Sequence, residues 1–296
     1  MVNKDDTLTT YIAPAFIFAY NLVVAYYYKN GWMVDKIGAM DWKYFWKQQD
    51  DIPAGMGYQL FGSTHLISVA VTICIVIAGV ILICKRNILF KKRVVRIIPL
   101  LMVALEVFKD LFLVSVGRFG IGYLPLHVCS IGIFVFVLRE YLPFEWSKVF
   151  FGEISFVLIM PASLAALFFA DWTVYYPVFN FMNLYSYLWH GLLILYPVLL
   201  YVMREVRPEI RHFHYVLLFL IVIVPLVYAF DKRFNCNYFF VNWPAAGSPL
   251  EWCEAVLGNP GYIIGYGVMV LVAMLMVYGI IFVIEKIGEK IDDANR

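Results

Sequence analysis

The chain has 296 residues, 63% of them hydrophobic and 15% charged, and a mean hydropathy of +0.78; soluble domains carry about 45–50% apolar and about 25% charged residues. A soluble globular enzyme is excluded. With 23 basic and 21 acidic residues the net charge is only +2, so the strongly basic stripe of a nucleic-acid binder is missing and no nucleic-acid partner is expected.

Crossing the hydrocarbon core takes about 20 apolar residues per helix, so this length allows at most about eight spans with short loops. Apolar runs bounded by charges predict core spans near 64–84, 95–116, 125–142, 149–170, 183–203, 213–230 and 261–284. A run over 10–28 precedes them, after a start in which Lys4 is set against Asp5 and Asp6. It reads as a retained anchor helix or, because Asn21 and five tyrosines interrupt it, as an interfacial one. The runs are too long and continuous for a β-barrel. The expected fold is all-α: a polytopic helical membrane bundle of seven core transmembrane helices plus one N-terminal helix. Residues 1–55 hold the anchor helix and an interfacial segment, and 56–296 form the seven-helix domain.

Lysines and arginines set the expected orientation. Lys85, Arg86, Lys91, Lys92, Arg93 and Arg96 cluster after the first core span, Arg139 and Lys148 follow two loops later, then Arg204, Arg207 and Arg211, and Lys286, Lys290 and Arg296 close the chain. These connections and the C-terminus are expected to be cytoplasmic, in a multi-pass protein of the cell membrane. On the opposite, outer side fall an aromatic segment, 40–49, expected as a surface helix, and the longest loop, 231–260, with Asn235, Asn237, Tyr238, Asn242, Trp243 and Pro244. Cys236 and Cys253 share that loop, where oxidation is permitted, and are a candidate disulfide pair whose pairing the sequence leaves open. No C-x-x-C pair occurs, so neither a metal nor a cofactor is expected. Gly261 and Gly265, in G-x-x-x-G spacing, predict close helix packing at the last span.

Charged side chains at bilayer depth are costly and are functional hypotheses by default. Glu106, Lys109 and Asp110, at i, i+3 and i+4, share one helix face and must point into the bundle, either as a site or as an ion network that fixes helix register. His127 follows Pro125, which marks a helix start. Ser130 shares the face of His127, whereas Cys129 lies about 200° round and forms no dyad with it. Asn183, Ser186, Tyr187 and His190 form a polar stripe on the fifth core helix, with His190 about 10 Å from its outer end. The predicted helix directions bring His127, Ser130, His190, Lys109 and Asp110 to one depth, with His65 at the rim. That is the inventory of an intramembrane acid–base site or of a proton-coupled permeation path. Glu153 reads as a snorkelling side chain, and His212 and His214 as interfacial.

Leu124-Pro125-Leu126-His127-Val128-Cys129, preceded by an intramembrane Glu and followed by His190-Gly191, resembles the bacterial YwaF-type integral membrane proteins, which group with the eukaryotic transmembrane protein 164 acyltransferases. The resemblance covers roughly residues 56–284. It implies acyl transfer between phospholipids through a cysteine assisted by a histidine. His190 fits the family histidine, and His127 fits the one after the helix-starting proline. The family cysteine directly precedes that second histidine, where this chain has Leu126.

The expected activity is therefore lipid acyl transfer or hydrolysis at the outer leaflet, with a phospholipid or other lipid as partner. His190 is expected as general base, His127 as an orienting or oxyanion-stabilising partner, Cys129 or Ser130 as nucleophile, and Glu106, Lys109, Asp110 and Tyr187 as a supporting polar network. A small-molecule or proton-coupled transporter and a non-catalytic lipid sensor are the alternatives. Oligomeric state stays open.

Overall fold

The computed structural model describes residues 42–294, and all regular structure among them is helical. The predicted helix over 10–28 lies outside the described residues. The described residues form nine α-helices, in order: α1 (Ser63–Cys84), α2 (Ile88–Ser115), α3 (Val128–Tyr141), α4 (Glu145–Ile154), α5 (Met160–Phe168), α6 (Phe181–Val202), α7 (Phe213–Phe234), α8 (Leu250–Leu257) and α9 (Tyr262–Ala294). A π-turn, Ser155–Ile159, joins α4 to α5 in one continuous helical run. From Trp42 on, the segment read as one surface helix holds two 3-10 turns, Trp42–Tyr44 and Gln49–Asp51.

Among the described residues five stretches are long and apolar enough to cross a bilayer: Ser63–Cys84, Glu145–Val174, Phe181–Val202, Ile210–Phe234 and Tyr262–Lys290. These five do not by themselves confirm the expected count of seven core spans. Helix α3 has 14 residues, about 21 Å against a hydrocarbon core of about 30 Å. Helix α2 is long enough, but it carries Lys91, Lys92, Arg93, Arg96, Glu106, Lys109 and Asp110. On α1, α7 and α9 large apolar side chains such as Ile77, Ile221, Leu226, Ile264 and Met276 are exposed, the pattern of a surface solvated by lipid chains.

The described chain divides into two compact units. The first comprises the described residues up to Val94 together with Trp172–Leu188; the second comprises Val95–Asp171 and the chain from Trp189 onward. In the first, the fully buried Asn180 organises the approach to α6: its amide donates to the carbonyls of Tyr44 at 2.7 Å and Lys47 at 2.8 Å, while its oxygen accepts from the Met182 amide at 2.8 Å. The Tyr58 amide donates to the Thr173 carbonyl at 2.8 Å. Beside it, a side chain on Gly57 would collide with the Thr173 and Val174 backbones, so only glycine permits that approach. His65, expected at a rim, is fully buried; its Nδ1 accepts from the Phe61 amide at 3.1 Å and closes a turn in which Phe61 has φ +59°.

In the second unit the core is built from Met102, Leu113, Phe136, Ile154, Ile159, Leu167, Leu193 and Tyr196. Phe136 stacks on Tyr196 with centroids 4.1 Å apart. Gly132 lets α3 approach closely: a Cβ there would stand 2.7 Å from Leu193 and 3.1 Å from Ile159. Two buried charged side chains of this unit are enclosed by polar partners. Arg139 bonds Glu140 and approaches Glu205 at 3.5 Å, and the Tyr196 hydroxyl donates to Glu140 at 2.6 Å. Arg139 is therefore a buried, neutralised side chain, not the free surface charge assumed for orientation. Glu153 does not snorkel: it is buried, and accepts from the Tyr278 hydroxyl at 2.6 Å and the Glu209 amide at 3.2 Å, with His212 Nδ1 at 3.6 Å.

Candidate functional site

Three sequence elements of the second unit meet around His127. The first is the end of α2. Lys109 is buried and bonds Glu106 at 2.7 Å, lies 3.2 Å from Asp110, and donates to the Tyr123 carbonyl at 3.1 Å. The predicted ion cluster thus forms, with Glu106 equally buried and Asp110 at its half-exposed edge. Through Tyr123 it fastens the turn that leads to His127.

The second element is the start of α3. The helix begins at Val128, with His127 as its N-cap in extended backbone (φ −68°, ψ 155°). Pro125 lies in the preceding turn, two residues before the N-cap rather than in the first helical turn. This corrects the expectation that His127 and Ser130 share a helix face, because the N-cap residue has left the helical register. Its side chain makes no capping bond. Cys129 lies near Ser163 of α5, whose hydroxyl donates to the Ile159 carbonyl at 2.7 Å, while Ser130 is half-buried on the first turn of α3.

The third element is the 231–260 segment, which is far more ordered than a long loop. Residues Asp231–Phe234 complete α7, Tyr238–Phe240 form a 3-10 turn and Leu250–Leu257 form α8. Asn237 accepts from the amides of Asn242 at 3.1 Å and Trp243 at 3.0 Å, and the Asn242 side chain donates to the Cys236 carbonyl at 2.9 Å. Three non-glycine residues in this segment, Asn235, Phe239 and Phe240, have φ near +55° (53°, 56° and 54°). Such backbone costs of order 1–3 kcal/mol per residue and persists only where surrounding contacts impose it. Here they present Tyr238 and Phe240 to the His127 ring, with centroids 4.8 and 5.6 Å away. The Tyr238 hydroxyl donates to the Ile121 carbonyl at 2.5 Å, and that of Tyr262 to the Phe240 carbonyl at 2.7 Å.

Between these elements lies a cavity of about 380 Å3, lined among others by His127, Asp171, Asn235, Cys236, Asn237 and Tyr238. No hydrogen-bond partner among the described residues reaches the His127 ring nitrogens, although Lys109 and the buried His190 both bear on the ring electrostatically. Of the residues expected at one depth, His190 and Lys109 are the two whose electrostatic influence reaches the His127 ring. The rest of the stripe on α6 is engaged in the first unit: Asn183 and Tyr187 meet the Tyr58 hydroxyl at 2.9 and 3.2 Å, and Ser186 donates to the Met182 carbonyl of its own helix.

The sequence reading missed two groups. Cys236 lines the cavity, and Asp231, fully buried in the last turn of α7, lies beside it. The Asp231 carboxylate interacts with the Tyr238 amide, yet neither oxygen completes a hydrogen bond of good geometry. Burial, with the Asp231 charge nearby, pushes the Cys236 thiol up. The expected Cys236–Cys253 disulfide is absent, and both thiols are free. Cys253 packs instead on α9, where a Cβ on Gly265 would stand 2.8 Å from its sulfur; the close packing expected of Gly261 and Gly265 is made against α8. No group of metal-ligating side chains is found among the described residues.

A family model described as the TMEM164 family matches residues 60–278 of this chain. No curated protein and no solved structure matches it.

Proposed function

The chain belongs to the TMEM164 family, and we propose from that premise that its His127 cavity acts on lipid acyl chains, by transfer to a second lipid or by hydrolysis. Family membership and the apolar helices make it a multi-pass integral membrane protein. The observation that carries the lipid reading is His127. A histidine without a hydrogen-bond partner in the chain, on the wall of a cavity large enough for a lipid headgroup and ester, is available as a general base. His190 and Lys109 bear on the same ring and are assigned to orient the ester carbonyl beside it. Glu106 and Asp110 hold Lys109 in place. On the charge pattern of the loops the cavity faces the outer leaflet, and the Pro125-Leu126-His127 motif relates the chain to bacterial YwaF-type members.

The test is lipid mass spectrometry on the full chain in liposomes containing a lysophospholipid and an acyl-labelled diacyl phospholipid. Label should move to the lysolipid or appear as free fatty acid, and His127→Gln and His190→Ala should each reduce the rate by about 100-fold or more, the typical worth of an acid–base group. Absence of turnover across zwitterionic and anionic headgroups refutes the reading. A transport function draws on a different observation, the buried charges of Glu106, Lys109 and Glu153. Vesicles that accumulate a solute without lipid turnover would establish it instead.

A further inference from the structure

We propose that the turn joining α1 to α2 is a docking surface for net-anionic phospholipids, whose headgroups it takes in the leaflet where α1 ends. The apolar run of α1 stops at Cys84, and Lys85, Arg86, Lys91, Lys92 and Arg93 follow at once. All five belong to the first compact unit. No acidic residue stands between Asp51 and Glu106 in the sequence, and among the described residues no carboxylate pairs with any of the five. Elsewhere Lys148 meets Glu145 at 2.9 Å, Arg211 meets Glu209 at 2.7 Å and Lys286 meets Glu289 at 2.7 Å. Lysines and arginines orient a membrane protein whether or not acidic residues stand beside them. Orientation alone therefore does not call for a cluster left without counter-charge.

The turn is also shaped for the bilayer surface. Its backbone is fixed: the Arg86 amide donates to the Ile83 carbonyl at 3.0 Å, and the Lys91 amide to the Asn87 carbonyl at 3.1 Å. The Asn87 side chain accepts from the Phe90 amide at 2.9 Å and starts α2. Lys85, Arg86, Lys92 and Arg93 are exposed, with Lys91 half-buried. Between the two groups of cations Ile88 and Leu89 are 56% and 73% exposed. At the end of a membrane span such apolar side chains enter the interface, and the long stems of the flanking lysines and arginines reach the headgroup phosphates.

The chemistry selects the headgroup. Five unpaired cations require negative charge that the chain does not supply. A zwitterionic headgroup brings its own ammonium beside its phosphate, whereas a phosphatidylglycerol or phosphatidylserine headgroup brings a net negative charge. Each lysine or arginine at an anionic leaflet is worth about a fivefold change in partition, weakened by salt. This surface shares no residue with the His127 cavity, and no step of the acyl-chain reading depends on it.

The experiment reconstitutes the full chain in phosphatidylcholine vesicles with a trace of phosphatidylglycerol carrying a photoactivatable headgroup, and maps the adducts by digestion and mass spectrometry. Adducts should concentrate on residues 85–93 and be competed by unlabelled phosphatidylglycerol at least about fivefold better than by added phosphatidylcholine. Lys91→Gln with Lys92→Gln should lower the labelling at least about fivefold. Lys85→Gln with Arg86→Gln, outside α2, should do the same, so that a local defect in that helix cannot imitate the result. Lys148→Gln with Lys286→Gln removes two cations that already have carboxylate partners and should leave the labelling unchanged. Inorganic phosphate should displace the probe no better than sodium chloride of equal ionic strength. Equal competition by the zwitterionic lipid, adducts confined to other segments, or full labelling in both turn variants overturns the proposal. Preferential displacement by inorganic phosphate also overturns it, in favour of a site for the free anion.

Discussion

Replacing Lys109 by methionine keeps the length of the side chain and deletes a buried positive charge held 2.7 Å from Glu106 and 3.2 Å from Asp110. At 2.7 Å and an effective dielectric of about 20, the attraction between unit charges is about 6 kcal/mol, and desolvation of both ions offsets much of it. What the substitution adds is a buried Glu106 carboxylate that has lost its neighbouring cation, plus a Tyr123 carbonyl that has lost the Lys109 donor. Removal of one member of a buried pair costs about 3–5 kcal/mol, whereas replacing both by uncharged groups is often near neutral. Lys109→Met should therefore lower the unfolding free energy by about 3–5 kcal/mol, and Lys109→Met combined with Glu106→Gln should recover at least about 2 kcal/mol of that loss. Reversible denaturation of the purified protein by titration with sodium dodecyl sulfate, followed by circular dichroism, measures both. A single variant that loses less than about 1 kcal/mol, or a double variant that only adds the two losses, refutes the argument that the ions stabilise each other.

Three further outcomes follow from other parts of the molecule. Gly132→Ala places a methyl 2.7 Å from Leu193 and should destabilise by about 1–3 kcal/mol in the same titration; an unchanged midpoint would show that α3 and α6 are free to separate. Tyr278→Phe removes the 2.6 Å donor to buried Glu153 and should cost about 1.5–3 kcal/mol, while amide hydrogen exchange at Glu209 and its neighbours should quicken; wild-type exchange and stability would contradict the pairing. Because burial and the negative Asp231 both disfavour the Cys236 thiolate, maleimide labelling of Cys236 should rise only above the ordinary thiol range of about 8.5. Asp231→Asn removes the opposing charge and should move that profile to lower pH, and a profile that stays put or moves upward would separate the two residues.

What could be read in advance was short-range. The Glu106–Lys109–Asp110 cluster follows from three charges at i, i+3 and i+4 in an apolar run, which leaves them no solvent to face. Contacts across the sequence were hidden. His127 and Tyr238 are far apart in the chain, and Glu153 and Tyr278 are separated by 125 residues; no local pattern announces either pair. Asp231 was read as the first residue of a loop because hydropathy falls at Phe230, although α7 continues to Phe234. Proline misled at α3: Pro125 is compatible with a first turn, but the helix starts three residues later and releases His127 from the helical face. Arg139 misled in the opposite sense, since a charge at a helix end looks like a surface charge until Glu140 and Glu205 are seen to enclose it.

The π-turn at Ser155–Ile159, closed by the Met160 amide on the Ser155 carbonyl, acts as one surplus residue in an otherwise α-helical run. A single insertion turns everything downstream by about 100° about the helix axis. Residues 145–154 and 160–168 therefore follow two different angular registers, and no single apolar face runs from Glu145 to Phe168. Before the turn Glu153 faces Tyr278 on α9, and after it Ser163 lies near Cys129 of α3. Relatives that lack the extra residue would align with a one-residue gap there, and their fifth helix would present a neighbour of the Ser163 position to α3.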